Sequence, residues 1–171
     1  MMECFSHTFK NEHGSFCPGL QQLLHEHQQL NQRKLSLFEL AQHIANGEVE
    51  DVAEALHYLR GDVIIFSEEL EHHSSREEDV LFTKLEEYIG KDHGPIAVME
   101  YEHDLAKEKI ATFLAETAVI HSAEAEKLAS YVIDTYQLLT EHFFKEENVL
   151  FPMAEQLLSA SEKEELEKRL V

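Results

Sequence analysis

His142-Phe143-Phe144-Lys145-Glu146-Glu147-Asn148-Val149-Leu150-Phe151-Pro152 is the stretch on which the reading of this chain turns. An echo of it lies 69 positions upstream, His73-Ser74-Ser75-Arg76-Glu77-Glu78-Asp79-Val80-Leu81-Phe82-Thr83, with His, Glu, Glu, Val, Leu and Phe recurring. A second echo has a similar spacing. Leu23-Leu24-His25-Glu26-His27 and Met99-Glu100-Tyr101-Glu102-His103 share a Glu-His pair 76 positions apart. The chain is therefore two copies of one plan: a lone His, then a His-x-x-x-Glu that runs on into Leu-Phe. Such repeats expose architecture before any local propensity does.

The 171 residues suffice for one domain with a hydrophobic core. Few Gly and Pro and no Trp suit a helix-rich globular chain. Asp and Glu outnumber Lys and Arg by 34 to 14, a formal charge of −20. That surface repels phosphate backbones and anionic lipid, which argues against nucleic-acid or membrane partners. No apolar run reaches the roughly 20 residues of a membrane span. The start, Met1 to His7, lacks a signal-peptide pattern, and two cysteines are too few for a disulfide framework, so a cytoplasmic setting is expected. Oligomeric state is not legible.

Residues 1–17 are polar and aperiodic and are expected to form an arm. Cys4, His7, His13 and Cys17 could meet at a zinc ion, but in no compact ligand spacing. Pro18 suits the first position of a helix, and Leu20, Leu23, Leu24, His27, Leu30, Leu37, Ala41 and Ile44 make its stripe, flawed by Lys34. Asn46-Gly47 stops it. The second helix is expected from near Val49, with its seam at Val52, Leu56, Leu59, Val63, Phe66, Leu70, His73, Glu77 and Val80. The third opens at Gly94-Pro95 and runs Ile96, Met99, His103, Ala106, Ile110, Phe113, Thr117. The fourth takes Ser122 as its N-cap and runs Leu128, Val132, Thr135, Leu139, His142, Glu146, Val149, Met153, with Pro152 kinking or ending it. Thr83 holds the matching place in the first copy, so that helix is expected to continue straight. Ser161 and Glu164 read as a capping box for a short, charged C-terminal helix. The expected fold is all-α: an up-down-up-down four-helix bundle over 18–158, then a short helix over 159–171.

Most of the twelve histidines suit half-exposed positions. His27, His73, His103 and His142 differ, because each falls on the apolar stripe of its own helix. Glu77 and Glu146 fall there too, one turn after a seam His, and side chains at i and i+4 share a helical face. Glu78 and Glu147 point away at this periodicity and are expected in solvent. Alanine at either should then leave metal content unchanged, whereas Glu77→Ala or Glu146→Ala should reduce it. Without a metal, four imidazoles and two carboxylates would be buried together, and each unpaired carboxylate would cost several kcal/mol. Imidazole and carboxylate suit iron, manganese or zinc.

These residues resemble the hemerythrin-like, or HHE cation-binding, family over roughly residues 18–158. The resemblance implies metal ligands at His27, His73, Glu77, His103, His142 and Glu146. It also implies a non-haem pair of iron ions bridged by carboxylates and an oxo (Fe–O–Fe) or hydroxo group, with zinc or manganese as substitutes. It further implies a site for oxygen, nitric oxide or peroxide. Oxygen-carrying members have a fifth His four residues after the third-helix His; here that residue is Lys107, so a fifth ligand is either absent or comes from elsewhere, His57 being the candidate beside a seam. Gly94 to Asp104 also resembles the bacterial iron–sulfur-cluster repair proteins of this superfamily, which respond to nitric oxide and oxidative stress. Two rival readings are an iron-responsive sensor and a ferritin-like di-iron oxidase. For the second, Glu69/His72 and Glu100/His103 spell Glu-x-x-His, though on consecutive helices and off the second seam.

Overall fold

The computed structural model of the protein describes residues 16–171, and every regular element among them is helical. Residues 1–15, with most of the expected arm and the Cys4, His7 and His13 of the zinc reading, lie outside the described residues. Helix α1 spans Pro18–Ala45 and opens on its proline. Gly47, at φ +69°, ends it by donating to the Ile44 carbonyl at 3.1 Å. Helix α2, Val52–Arg76, starts three residues later than Val49 because the Asp51 carboxylate caps it, accepting the Glu54 N–H at 3.0 Å.

Beyond α2 the chain does not continue as a plain α-helix. A π-helical turn spans Glu77–Phe82 before α3, Thr83–Ile89. Helix α4 is Pro95–Glu116, after Gly94 at φ +82°. A 3₁₀ turn, Ser122–Glu124, precedes α5, Ala125–Lys145, so Ser122 begins that turn and caps no helix with its side chain. A second π-turn, Glu146–Leu150, leads into α6, Phe151–Leu157. Both π-turns start at the seam glutamate of their copy. The straight continuation expected at Thr83 and the kink expected at Pro152 are thus replaced by one device, and Pro152 falls in the first turn of α6, where its missing N–H is tolerated. The last helix, α7, is Ala160–Leu170; its capping box is Ser159 with Glu162, two residues before the expected pair.

A π-turn carries one extra residue and so shifts the apolar phase. After Glu146 the buried residues are Leu150, Phe151 and Ala154, while the expected Val149 is half exposed and Met153 only partly covered. The other seams are buried as read, apart from partly covered Leu24 and Val52.

Apolar side chains form two clusters. The larger includes Leu37, Phe66, Phe113, Leu128 and Phe143; the smaller joins Leu20 and Leu23 to Phe82, Leu85, Ile96, Phe151 and the α7 residues Leu166 and Leu170. Helix α1 packs on α2, α5 and α7, and α4 packs on α5. Gly19 permits the α1–α7 contact: a Cβ there would meet the Leu166 Cβ at 2.8 Å and its carbonyl carbon at 3.0 Å. Gly19→Ala should therefore cost about 1–3 kcal/mol in a denaturant titration, because backbone must move to admit the methyl group.

Lys34, the flaw in the α1 stripe, is 5% exposed. Its ammonium lies 4.9 Å from the Phe143 ring centroid and 5.4 Å from that of Tyr136. Burial lowers its pKa to about 8, against a smaller upward pull from Glu147. The unfolded chain keeps this proton until about pH 10.5 and the folded chain loses it near 8, so the burial cost is full below pH 8 and fades between the two. Lys34→Met should stabilise the metal-free protein at pH 7 by about 1 kcal/mol, net of the lost ring contacts. Urea titrations should show that gap closing from pH 8 toward pH 10.5.

Candidate metal centre

Between the two apolar clusters lies a polar layer. His27 comes from α1, His73 from the last turn of α2, His103 from α4 and His142 from the end of α5. Glu77 and Glu146 open the two π-turns and are 0% exposed. Glu77 Oε1 is 3.3 Å from His73 Nε2 and 3.8 Å from His27 Nε2, and its Oε2 is 3.5 Å from His103 Nε2. Glu146 Oε1 is 3.3 Å from His142 Nε2, and its Oε2 is 3.2 Å from His27 Nε2. Two quartets result: His27, His73, Glu77 and Glu146; and Glu77, His103, His142 and Glu146. In each, one donor atom per residue lies within 4.8 Å of all the others, and both quartets share the two carboxylates.

Both oxygens of Glu77 and of Glu146, and Nε2 of His27, His73 and His142, are buried without a hydrogen-bond partner. Leaving that many polar atoms unsatisfied is costly, and they converge on one place. An imidazole and carboxylate set so arranged fits divalent metal ions.

The opposite face of each imidazole is fully partnered. Nδ1 of His27 meets Glu147 at 2.9 Å, that of His73 meets Glu26 at 2.8 Å, that of His103 meets Glu78 at 2.7 Å and that of His142 meets Glu102 at 3.0 Å. Donation from Nδ1–H to a carboxylate fixes the tautomer and leaves the Nε2 lone pair facing inward. Arg76 in turn binds Glu26 at 2.5 Å, and Lys145 binds Glu102. Arg76 and Lys145 are themselves 69 positions apart, so this outer layer repeats as well. Glu78 and Glu147 are therefore not solvated bystanders. At the wider pitch of a π-turn, a residue five after the His swings back toward the centre, and each binds a His of another helix. Glu26 and Glu102 were not singled out as functional, though the repeated Glu-His pair was the signal for them.

Burial pushes His27 down, but the nearby carboxylates of Glu146, Glu147 and Glu77 prevail and raise its pKa well above the usual imidazole range. His73 is pushed up to about 9, burial being outweighed by Glu77 and Glu26. His103 reaches about 10 against burial, through Glu77 and Glu78. Burial would raise Glu77, yet His73, His103 and His27 hold it well below the usual carboxylate range. Glu146 is lowered too, by His142 and His27 against burial and the charge of Glu77.

His57 is exposed and belongs to neither quartet; it sits 16 residues before His73, about 24 Å along α2. It is not a fifth ligand. Lys107 pairs with Glu71 at 3.1 Å. The ferritin-like spelling also fails: Glu69 binds Arg33 at 2.6 Å, His72 is exposed, and Glu100 binds Lys91 at 3.0 Å. Cys17 is a free, half-buried thiol.

A helical protein whose core holds paired His and Glu quartets defines a class, and sequence comparison agrees: residues 4–154 match the hemerythrin HHE cation binding domain, and the chain belongs to that family. It is similar to the iron-sulfur cluster repair protein YtfE of Salmonella schwarzengrund (strain CVM19633), 37% identical over 93 residues, 51% of this chain and 42% of that protein. The same figures hold for the YtfE proteins of Salmonella newport (strain SL254) and Salmonella agona (strain SL483). The chain thus spans less than half the length of these relatives. No solved structure matches it.

Glu78→Ala and Glu147→Ala should each weaken metal binding about 10–100-fold while leaving the helical content intact. Competition against a chelator, alongside circular dichroism, measures both; unchanged affinity would restore the solvated reading of these two residues.

Proposed function

We propose that the two quartets hold a pair of iron ions, one on His27 and His73 and the other on His103 and His142, with Glu77 and Glu146 shared. The observation that carries this reading is the set of seven buried, unpartnered donor atoms converging between the helices. Iron so held supplies a redox-active binding site for a small ligand: oxygen, nitric oxide or peroxide. Zinc or manganese would fit the same donors in a given preparation.

The chain's own residues do the rest. Glu147, Glu26, Glu78 and Glu102 hold the four imidazole rings in register. Phe143 and Phe151 stack on His27 with centroids at 4.1 and 5.5 Å, and Phe82 stacks on His103 at 5.8 Å, excluding water from the ligand set. The four main helices, joined by short connections, are best described as an up-down-up-down bundle. No helix of the described residues is long and apolar enough to cross a membrane.

The name of the YtfE relatives, iron-sulfur cluster repair protein, supports a role in iron-centre repair; a part in the stress response and a cytoplasmic setting belong to the same proposal. A ligand-binding or iron-donating role fits this site better than a ferritin-like oxidase, because Glu69, His72 and Glu100 of the Glu-x-x-His pairs stand outside the centre here.

Metal analysis of protein grown with iron should give about two irons per chain, with oxo-bridge absorption bands that reduction bleaches. Nitric oxide added to the reduced protein should change that spectrum. Glu77→Ala and Glu146→Ala should each lose most of the iron and lower the thermal midpoint, because metal binding is part of the folding free energy. A folded wild-type chain carrying one metal or none would sink the di-iron reading.

A further inference from the structure

The polar parts of the centre follow the internal repeat closely. A shift of 69 positions pairs Arg76 with Lys145 and Glu78 with Glu147; a shift of 76 pairs Glu26 with Glu102 and His27 with His103. Two departures gather on one side. The same shifts pair Phe143 with Ser74 and Lys34 with Ile110. Ser74 spends its hydroxyl on the Leu70 carbonyl at 2.7 Å, whereas Phe143 lies stacked on His27 at 4.1 Å and 21°. The Lys34 ammonium is 4.9 Å from the Phe143 centroid, which puts it within about 9 Å of the His27 ring.

Lys34 is nearly inaccessible, and among the described residues no carboxylate lies within salt-bridge range of it. A buried lysine with two ring faces beside it and only the more distant charge of Glu147 to balance it is costly to the fold, and nothing in the packing demands it: its sequence counterpart Ile110 is an apolar core residue. What the charge does supply is a field. In a dry interior a unit charge at that range acts far more strongly than across water.

We propose that Lys34 sets the redox poise of the metal centre, its positive charge raising the reduction potential. This rests on the di-iron reading above. A nearby cation disfavours the state with more positive charge, so the ferrous form gains. Reduction of the pair would draw one electron per ferric ion from a one-electron donor such as a reduced mediator dye, and the field of Lys34 would bias that exchange without any bond to it. Lys34 is thus a tuning residue and no ligand.

The test is a redox titration of the iron-loaded 171-residue chain with mediators, followed through its charge-transfer absorption, for wild type, Lys34→Met and Lys34→Arg. Iron content should be equal in all three. At the potential where wild type is half reduced, Lys34→Met should lie at least tenfold toward the oxidised form, a fall of about 59 mV for a one-electron step. Lys34→Arg, which keeps the charge, should stay near wild type. A midpoint indifferent to Lys34→Met, or the same shift in both variants, would overturn the proposal while leaving the di-iron reading intact. A wild-type chain that binds no redox-active pair would sink both.

Discussion

Two carboxylates with no exposed surface, set among apolar helices, are the constraint to which the rest of this molecule responds. Burying Glu77 and Glu146 as anions would cost several kcal/mol each unless positive charge came to meet them. The answer comes from four different helices. Glu77 reaches imidazoles on α1, α2 and α4; Glu146 reaches imidazoles on α1 and α5. The contacts to His27 and His103 are therefore also cross-links between helices, so the order of the bundle and the order of the site are one property. That is why the apolar clusters can lie above and below the polar layer without a continuous hydrophobic column through it.

The outer ring of carboxylates explains how four rings stay aimed at one point. Glu26 and Glu102 each precede a seam His in sequence, yet each binds the His of the following main helix, within its own copy of the repeat. Glu78 and Glu147 bind across copies. The four bonds close a circuit through both halves, and Arg76 and Lys145 hold the within-copy pair at equivalent points. Rotation of any one ring would cost a carboxylate its imidazole partner at the edge of the core.

Much of this was legible from spacing alone. His27, His73, His103, His142, Glu77 and Glu146 fall on apolar stripes at helical period, and the structure brings all six together. The outer ring was not legible, because an orienting contact joins residues on different helices and no period within one helix encodes it. Glu102 is buried beside His103, and only the position of α5 gives it a purpose. The displaced phase after Glu146 and the misjudged Glu78 and Glu147 share one cause: a 3.6-residue period was carried through turns that are wider. His57 drew notice for its nearness to a seam, but its distance along α2 removes it from the site. The early caps failed more simply, since Ser159 and Asp51 compete with Ser161 and Val49 as helix starts over a window of a few residues.

Each π-turn amounts to a one-residue insertion into a helix, and that has a meaning for chain length. Were one residue deleted between Glu77 and Phe82, a regular helix could run straight through, still presenting Leu81 and Phe82 to the core at i+3 and i+4 from Glu77. The apolar faces would survive, and the outer carboxylate at Glu78 would be carried off the His103 side. The same holds between Glu146 and Phe151. Length in these two short windows is thus a genetic dial that leaves the fold and the inner ligands in place and switches the cross-copy bracing on or off.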